Sequence, residues 1–532
     1  MTHSSKTPQG AAEKRGWFTR FLDTVEFLGN LLPHPVTLFA CFALAVVLGS
    51  GIAAYFDFSA IDPRPEGTAG RAADGTIKVV SLMTVDGLQR IVSNLVTNFT
   101  SFAPLGVVLV ALLGVSVAEH SGLISAAMRG LVMNASKRMV TVTIVFAGII
   151  SNTASELGYV VLIPMAALIF YSLGRHPLAG LAAAFAGVSG GYSANLFIGT
   201  VDPLLAGFTT SAANLIDPTY VVGPEANWFF MIASTFVIAA LGAFVTEKIV
   251  EPKLGKYHAS EASVDLGEQK LDPLTALEKK GLIGAGLTFL ALGILLALSI
   301  VPENGVLRHP ITGAVEDSPF LKGIVVFIFI TFGIPGYVYG RIVGTMKTDR
   351  DVINAMAKSM SSMGLYIVLV FFAAQFVAFF GWSNLGAILA VKGATLLQTI
   401  GLTGPELFVF FIAMCAIVNL SLGSASAQWA IFAPIFVPML MIVGYSPEVI
   451  QAAYRIGDSV TNLITPMMSY FGLILAVASR YKKDMGIGTL IATMLPYTMV
   501  FFVGWVVLFY VWVFLLGLPV GPGAPTYYEF AQ

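Results

Sequence analysis

Charge is scarce in this chain: of 532 residues only 11% are Asp, Glu, Lys or Arg, whereas 56% are hydrophobic. Soluble domains carry about 25% charged residues, and the mean hydropathy here is +0.82. Most of the surface must therefore face something other than water. Cysteine is almost missing. Cys41 and Cys415 both lie within apolar runs; they are too few for a disulfide framework or a thiolate metal cluster, and both read as buried small residues. There is no basic run and no glycine-rich phosphate cradle, and the net charge is −1. Nucleic acid is thus not an expected partner, and no cofactor is implied.

What is abundant is apolar length. A helix crosses a bilayer with roughly 20 apolar residues, and crossings are expected at about 33–55, 103–123, 177–200, 228–247, 281–301, 321–341, 363–381, 449–479 and 488–517. The first follows a polar, basic segment (1–30) and is too long and too late for a cleaved signal peptide. Two further apolar regions are broken midway. Region 139–173 is interrupted by SNTASE (151–156), and region 406–443 by SLGSASAQ (421–428). Their limbs of about 12 to 17 residues are short for a crossing. Segments 85–102 and 344–362 look amphipathic and interfacial.

Positive charge concentrates on the cytoplasmic side of membrane proteins. Lys6, Lys14, Arg15 and Arg20 place the N-terminus inside; Arg129, Lys137, Arg138 and Arg175 flank the first broken region on the same side. Lys248, Lys253 and Lys256 come next, the last two within a mixed-charge cytoplasmic loop (250–280), then Arg341, Lys347 and Arg350, then Arg480, Lys482 and Lys483. The alternation closes only if both broken regions are re-entrant hairpins opening from opposite faces. The expectation is a single all-α polytopic membrane domain over 1–532, with nine crossings and two opposed hairpins.

An internal repeat accompanies this topology. The tips begin at Ser151 and Ser421, and Asn195 and Asn462 are separated by 267 positions, close to the tip-to-tip spacing. Segment 124–203 holds the first hairpin and its interrupted helix, SANLFIGTVDP (193–203); segment 402–470 holds the second, with RIGDSVTNLITP (455–466). Paired interrupted segments in two halves point to a transport site between inverted repeats. An Arg or Asp at mid-membrane costs roughly 2.5–3.5 kcal/mol. Arg455 and Asp458 are three apart and share a helix face, so partial mutual neutralisation is expected. Gly457 and Pro466 loosen the helix and free carbonyls. Such a segment lines a wet cavity or packs on other polar groups.

Oxygen-rich tips (Ser151, Asn152, Thr153; Ser421, Ser424, Ser426) and broken-helix carbonyls suit a hard cation. Asn152, Asn195, Asp458 and Asn462 form the candidate sodium set. Asp202 or Asp458 could instead carry a proton, and Asp202 is preferred because Arg455 sits beside Asp458 in sequence. Glu156 reads equally as site residue or hairpin brace.

The chain resembles the p-aminobenzoyl-glutamate transporter (AbgT) family, within a larger group of ion transporters. The resemblance rests on EFLGNLLPHPVTLF, ISNTASELGYVVLIPMAA, GGYSANLFIGTVDPLLAGFT, SASAQWAIFAPIFVPML and YRIGDSVTNLITPMMSYFGLIL. It implies nine transmembrane helices with two opposed hairpins, a homodimer in the bacterial inner membrane, and pathway residues at Asp202, Trp429, Pro447, Arg455, Asp458 and Pro466. It further implies transport of p-aminobenzoyl-glutamate or of sulfonamide-type antimetabolites, driven by a sodium or proton gradient. Arg455 would hold a carboxylate and Trp429 would stack on an aromatic ring, so the substrate is a small aromatic anion. The rival in the same class is a sodium-coupled dicarboxylate symporter of this fold. The rival in another class is an intramembrane hydrolase built on GSAS (423–426) or on Asp202 with Asp458; no histidine lies near that serine in sequence.

Overall fold

The computed structural model describes residues 33–66, 71–154, 158–263, 273–315 and 318–530. Segment 1–30, Ser155, Glu156 and residues 264–272 of the 250–280 loop lie outside the described residues.

The chain enters along α1 (Pro35–Tyr55), started by Pro35 in the first turn and by His34, whose ring accepts from the Val36 amide. A small antiparallel hairpin follows, β1 (Ser59–Ile61) and β2 (Thr76–Lys78), with Ala60 opposite Ile77. It departs from the all-α expectation. The amphipathic α2 (Val85–Thr100) leads into apolar α3 (Ala103–Ser121) and the short α4 (Leu123–Met133). The first repeat comprises α5 (Val140–Ser151), a tip, α6 (Ile163–Ser172), α7 (Pro177–Phe185, extended by a π turn to Gly190), an irregular stretch 191–200, and α8 (Val201–Ala213). Then come α9 (Trp228–Val245), α10 (Glu251–Leu254), α11 (Ala276–Ile300), α12 (Pro319–Lys322), α13 (Ile324–Val343), α14 (Asp349–Ser362), α15 (Gly364–Trp382) and α16 (Leu385–Thr399). The second repeat comprises α17 (Leu407–Leu422), a two-residue tip, α18 (Ala425–Val443), α19 (Pro447–Thr461), an irregular stretch 462–470, and α20 (Phe471–Tyr481). α21 (Ile487–Phe509) closes the helical part.

Small residues decide which helices touch. Without water between them, membrane helices gain stability from close van der Waals packing, which glycine permits. A β-carbon on Gly114 would lie 2.3 Å from the Phe329 carbonyl oxygen and one on Gly336 would lie 2.6 Å from Ala118, so α3 and α13 meet backbone to backbone. In the first repeat Gly187 lies against the Val145 carbonyl oxygen in the same way, at 2.3 Å; in the second, Gly457 lies against Cys415 at 2.5 Å. Each hairpin is thereby seated on the helix that follows it.

Eight helical runs among the described residues are long and apolar enough to cross a membrane. Seven of the expected crossings correspond to such runs. The other two, 177–200 and 449–479, are each split into a shorter helix and an irregular break, because proline and glycine stop the ladder. Of the limbs around the second tip, α17 has the expected length at 16 residues, whereas α18 is longer than expected at 19, running through Pro434 and Pro438. Helix α16 carries Lys392 in an otherwise apolar run and was not among the expected elements. Cys415 is buried as expected, but Cys41 is exposed on α1.

The connections gather at two ends. At one, Arg175 bonds Glu251 and Thr141, the Ser263 amide donates to the Arg480 carbonyl and the Lys483 amide to Glu261. This is the basic end. At the other, Asn384 donates to the Lys78 carbonyl at 2.9 Å and the Val80 amide to Ser383. There the tail also returns, Tyr527 bridging to Tyr445, the Ser446 hydroxyl donating to the Pro525 carbonyl and Tyr528 to Asp217.

Candidate functional site

Helix α19 is the centre of the site. All 15 of its residues are buried, yet Glu448, Gln451, Arg455 and Asp458 fall on one face at helical spacing. Pro447 starts the helix, with the Ser446 hydroxyl accepting from Val449. Pro466 lies in the break that follows, half-buried.

Arg455 pairs with Asp202, not with Asp458. Its Nη1 donates to Asp202 Oδ1 at 2.5 Å, and the two side chains are 6% and 3% exposed. Asp202 sits in the first turn of α8, where its other oxygen accepts from the Gly199 amide at 2.5 Å; an acid there complements the helix dipole. The pair joins the broken helix of one repeat to that of the other. The expected neutralisation within α19 is thus replaced by a contact across 253 positions. The consequence reverses the assignment of the lone acid: Asp458 is 1% exposed and its Oδ1 has no hydrogen-bond partner. Arg455 Nε is likewise a buried donor without a partner.

Around Asp458 the second repeat supplies more unclaimed oxygen. Asn419 Nδ2 lies 2.6 Å from the Asp458 carbonyl, 2.8 Å from Asn462 Oδ1 and 3.1 Å from Thr461 Oγ1. Asn419 Oδ1 and Gln428 Oε1 are buried with no partner, while Gln428 Nε2 donates to the Cys415 carbonyl. Buried polar groups are rarely left unpaired. Orphan acceptors beside a carboxylate are the ligand type a hard cation takes.

In the first repeat Asn152 donates to the Val188 carbonyl at 2.9 Å and Thr153 to Asn195 Oδ1 at 2.9 Å. Ser151 bonds back to Gly148. The candidate sodium set therefore divides into two adjoining clusters, Asn152 with Asn195 and Asp458 with Asn462. Ser189 bridges them, reaching the Asn462 carbonyl at 3.5 Å and Met468 Sδ at 3.0 Å. The Ser193 amide also donates to Ser459 Oγ at 3.1 Å. Each tip rests on the break of its own repeat. A β-carbon on Gly199 would lie 3.2 Å from the Asn152 carbonyl oxygen, and one on Gly423 2.9 Å from that of Met467. The hydroxyls of Ser421, Ser424 and Ser426 form no hydrogen bond with the described residues. An apolar cavity of about 340 Å³, lined by Ile150, Phe197, Phe289 and Phe332, opens beside Ser151 and Thr153.

Trp429 is fully buried, its ring stacked on Tyr454 with centroids 4.3 Å apart and its Nε1 donating to Thr209 Oγ1 at 2.9 Å. A ligand stacks on that face only after Tyr454 moves. Sequence reasoning missed Asn419, although a signal existed: it lies 267 positions after Asn152, the same spacing that relates Asn195 to Asn462. Gln451, Thr209 and Tyr454 left no comparable mark.

The model of the AbgT putative transporter family matches residues 20–528. The p-aminobenzoyl-glutamate transport protein of Escherichia coli (strain K12) is 38% identical over 500 residues, covering 94% of this chain and 95% of that protein. Among solved structures, Neisseria gonorrhoeae MtrF, described as illuminating a class of antimetabolite efflux pumps, is 65% identical with a TM-score of 0.90, over 95% of this chain and all of that one. The Alcanivorax borkumensis YdaH transporter, described as having an unusual topology, is 46% identical with a TM-score of 0.85, over 92% of this chain and all of that one.

Proposed function

The chain belongs to the AbgT transporter family, and from that premise we propose that it is a gradient-driven secondary transporter of p-aminobenzoyl-glutamate-like and sulfonamide-like aromatics. Outward transport of antimetabolites is favoured, because the relative described as an efflux pump is 65% identical and the p-aminobenzoyl-glutamate transport protein 38%. The observation that carries the reading is the Arg455–Asp202 pair, which ties the two broken helices together in a buried setting.

That pair offers a coupling mechanism. A substrate carboxylate or sulfonyl oxygen competes with Asp202 for the guanidinium, whose Nε is unpartnered. Once released, Asp202 is a buried charge without an ion partner, held only by the Gly199 amide, which is strongly unfavourable. A proton or a sodium ion relieves it. Asp458, with Asn419, Gln428 and Asn462 beside it, provides the second place for that ion. Substrate on Arg455 thus promotes ion binding at the acids beside it, and the two binding events are thermodynamically linked.

The topology proposed is nine crossings with two opposed hairpins, in a homodimer of the bacterial inner membrane. The gathering of Arg175, Lys248, Arg480 and Lys483 connections at one end supports a cytoplasmic position for that end. The reading is tested in proteoliposomes loaded with labelled p-aminobenzoyl-glutamate or a sulfonamide, under separate sodium and pH gradients. Accumulation driven by one gradient is expected. Equal flux without any gradient overturns it.

A further inference from the structure

Two carboxylates lie buried at the end of α19 remote from Asp458. Glu448, in its first turn, is 6% exposed, and Glu225, in the loop before α9, is 7% exposed. They are within electrostatic reach of each other, and neither forms an ion pair with a described residue. Glu448 Oε2 accepts from the Tyr220 hydroxyl at 2.9 Å; Glu225 Oε2 is buried with no partner. The loop folds so tightly that a β-carbon on Gly223 would strike the Glu225 carboxylate at 2.1 Å. The other charged or titratable groups around them are Tyr528 of the tail, Asp217 of the same loop and Arg64, which is held by Asp62. Two buried acids without an ion partner, linked through Asn227, are stabilised when one of them is protonated.

A hydrogen-bonded chain leads inward from the Glu448 main-chain carbonyl. Asn227 Nδ2 donates to the Glu448 carbonyl at 2.8 Å, and Gln451 Nε2 donates to Asn227 Oδ1 at 2.8 Å. The Thr209 hydroxyl donates to Gln451 Oε1 and accepts from Trp429 Nε1. That hydroxyl has one hydrogen and two acceptors, because the Leu205 carbonyl lies 2.8 Å away as well. It has two discrete settings. Trp429 stacks on Tyr454, whose hydroxyl donates to the Ala425 carbonyl at the second tip.

We propose that Glu225 and Glu448 form a proton-binding site at the end opposite the basic connections, and that its occupancy is felt at Trp429 and the second tip through Asn227, Gln451 and Thr209. Burial pushes the Glu225 carboxyl up from its ordinary range, so it holds a proton at a higher pH than a solvated carboxylate does. The proposal rests on the reading of the chain as an ion-coupled transporter, but its direct test does not need transport.

Infrared difference spectra of the reconstituted full chain, recorded as pH is stepped from acidic through neutral, report protonated carboxyls. Asp202→Asn and Asp458→Asn backgrounds remove the contribution of the other two acids. A carboxyl band that persists in those backgrounds and disappears with Glu448→Gln or Glu225→Gln is expected. Its absence from the parent protein, or its survival in both Gln variants, overturns the site. Where the parent transports, the midpoint of its flux-against-pH curve at that face should move by about one unit or more in either Gln variant; an unmoved curve overturns the link to Trp429. A parent that shows the band but moves no substrate defeats the transport reading and leaves the proton site standing.

Discussion

The two repeats put the same backbone plan to different uses. Asn152 and Asn195 in the first correspond to Asn419 and Asn462 in the second, but the place of Asp458 is taken by Gly191 and that of Arg455 by Val188. In the first repeat the Asn152 and Thr153 side chains find carbonyl or amide partners; in the second, acceptors on Asn419, Gln428 and Asp458 have none. One junction has its polar groups paired, and the other leaves buried acceptors unclaimed. The first repeat contributes its charge elsewhere, through Asp202 reaching Arg455. The difference teaches that two repeats of one plan need not be equipped alike: one carries a buried acid with unclaimed acceptors near it, and the other supplies the counter-charge to Arg455.

The comparison can be broken most severely at Arg455. Arg455→Ala leaves Asp202 buried and unpaired, so flux should vanish and unfolding free energy should fall by about 3–5 kcal/mol. Replacing both partners, Asp202→Asn with Arg455→Met, should restore most of the stability, measured by thermal unfolding in detergent, without restoring flux. Asp458→Asn comes next. It keeps the shape but removes the charge, so ion-driven flux should drop at least tenfold while stability holds or rises. A stability loss of several kcal/mol would mean that the carboxylate is a structural partner after all.

Two smaller effects sharpen the contrast. Gly191→Ala places a β-carbon 2.5 Å from the Gly187 carbonyl oxygen and 2.6 Å from Ile149, and overpacking of that kind costs about 1–3 kcal/mol. The first repeat therefore has no room for an acid at that place. Asn419→Ala should weaken the sodium or proton dependence of flux, whereas Asn152→Ala should mainly cost about 1 kcal/mol of stability through the lost bond to Val188. If Asn152→Ala disturbs ion dependence as much as Asn419→Ala, the repeats are functionally equivalent.

Much of this was legible in composition and pattern. Apolar length locates the crossings, and Pro203 and Pro466 mark the breaks, because proline acts locally on the helical ladder; Gly457, expected to loosen the helix, instead lies within the unbroken α19 and lets it pack on Cys415. The amphipathic α2 and α14 were equally plain. Pairing was not legible. Arg455 and Asp458 are three apart, and helical geometry made them the natural couple, but tertiary packing brought Asp202 to the guanidinium first. The same holds for Trp429, whose neighbours Thr209 and Tyr454 come from other helices. Helix α16 escaped because Lys392 interrupts its hydropathy; its ammonium lies 4.8 Å from the Phe58 ring centroid, a placement that periodicity does not encode.

The path of the backbone carries one more consequence. Helix α1, one of the long apolar runs, finishes beside the β-hairpin, where the Ser50 hydroxyl receives the Leu82 amide, and the tail finishes across that same side beside Tyr445 and Asp217. A thread that starts on one side and stops on the other makes an odd number of traverses, whichever way round the molecule is inserted. The eight long runs are even in number, so parity alone obliges the shorter or broken segments to alter the tally by an odd amount. Reporters fused ahead of residue 33 and behind Gln532 should therefore emerge in different compartments.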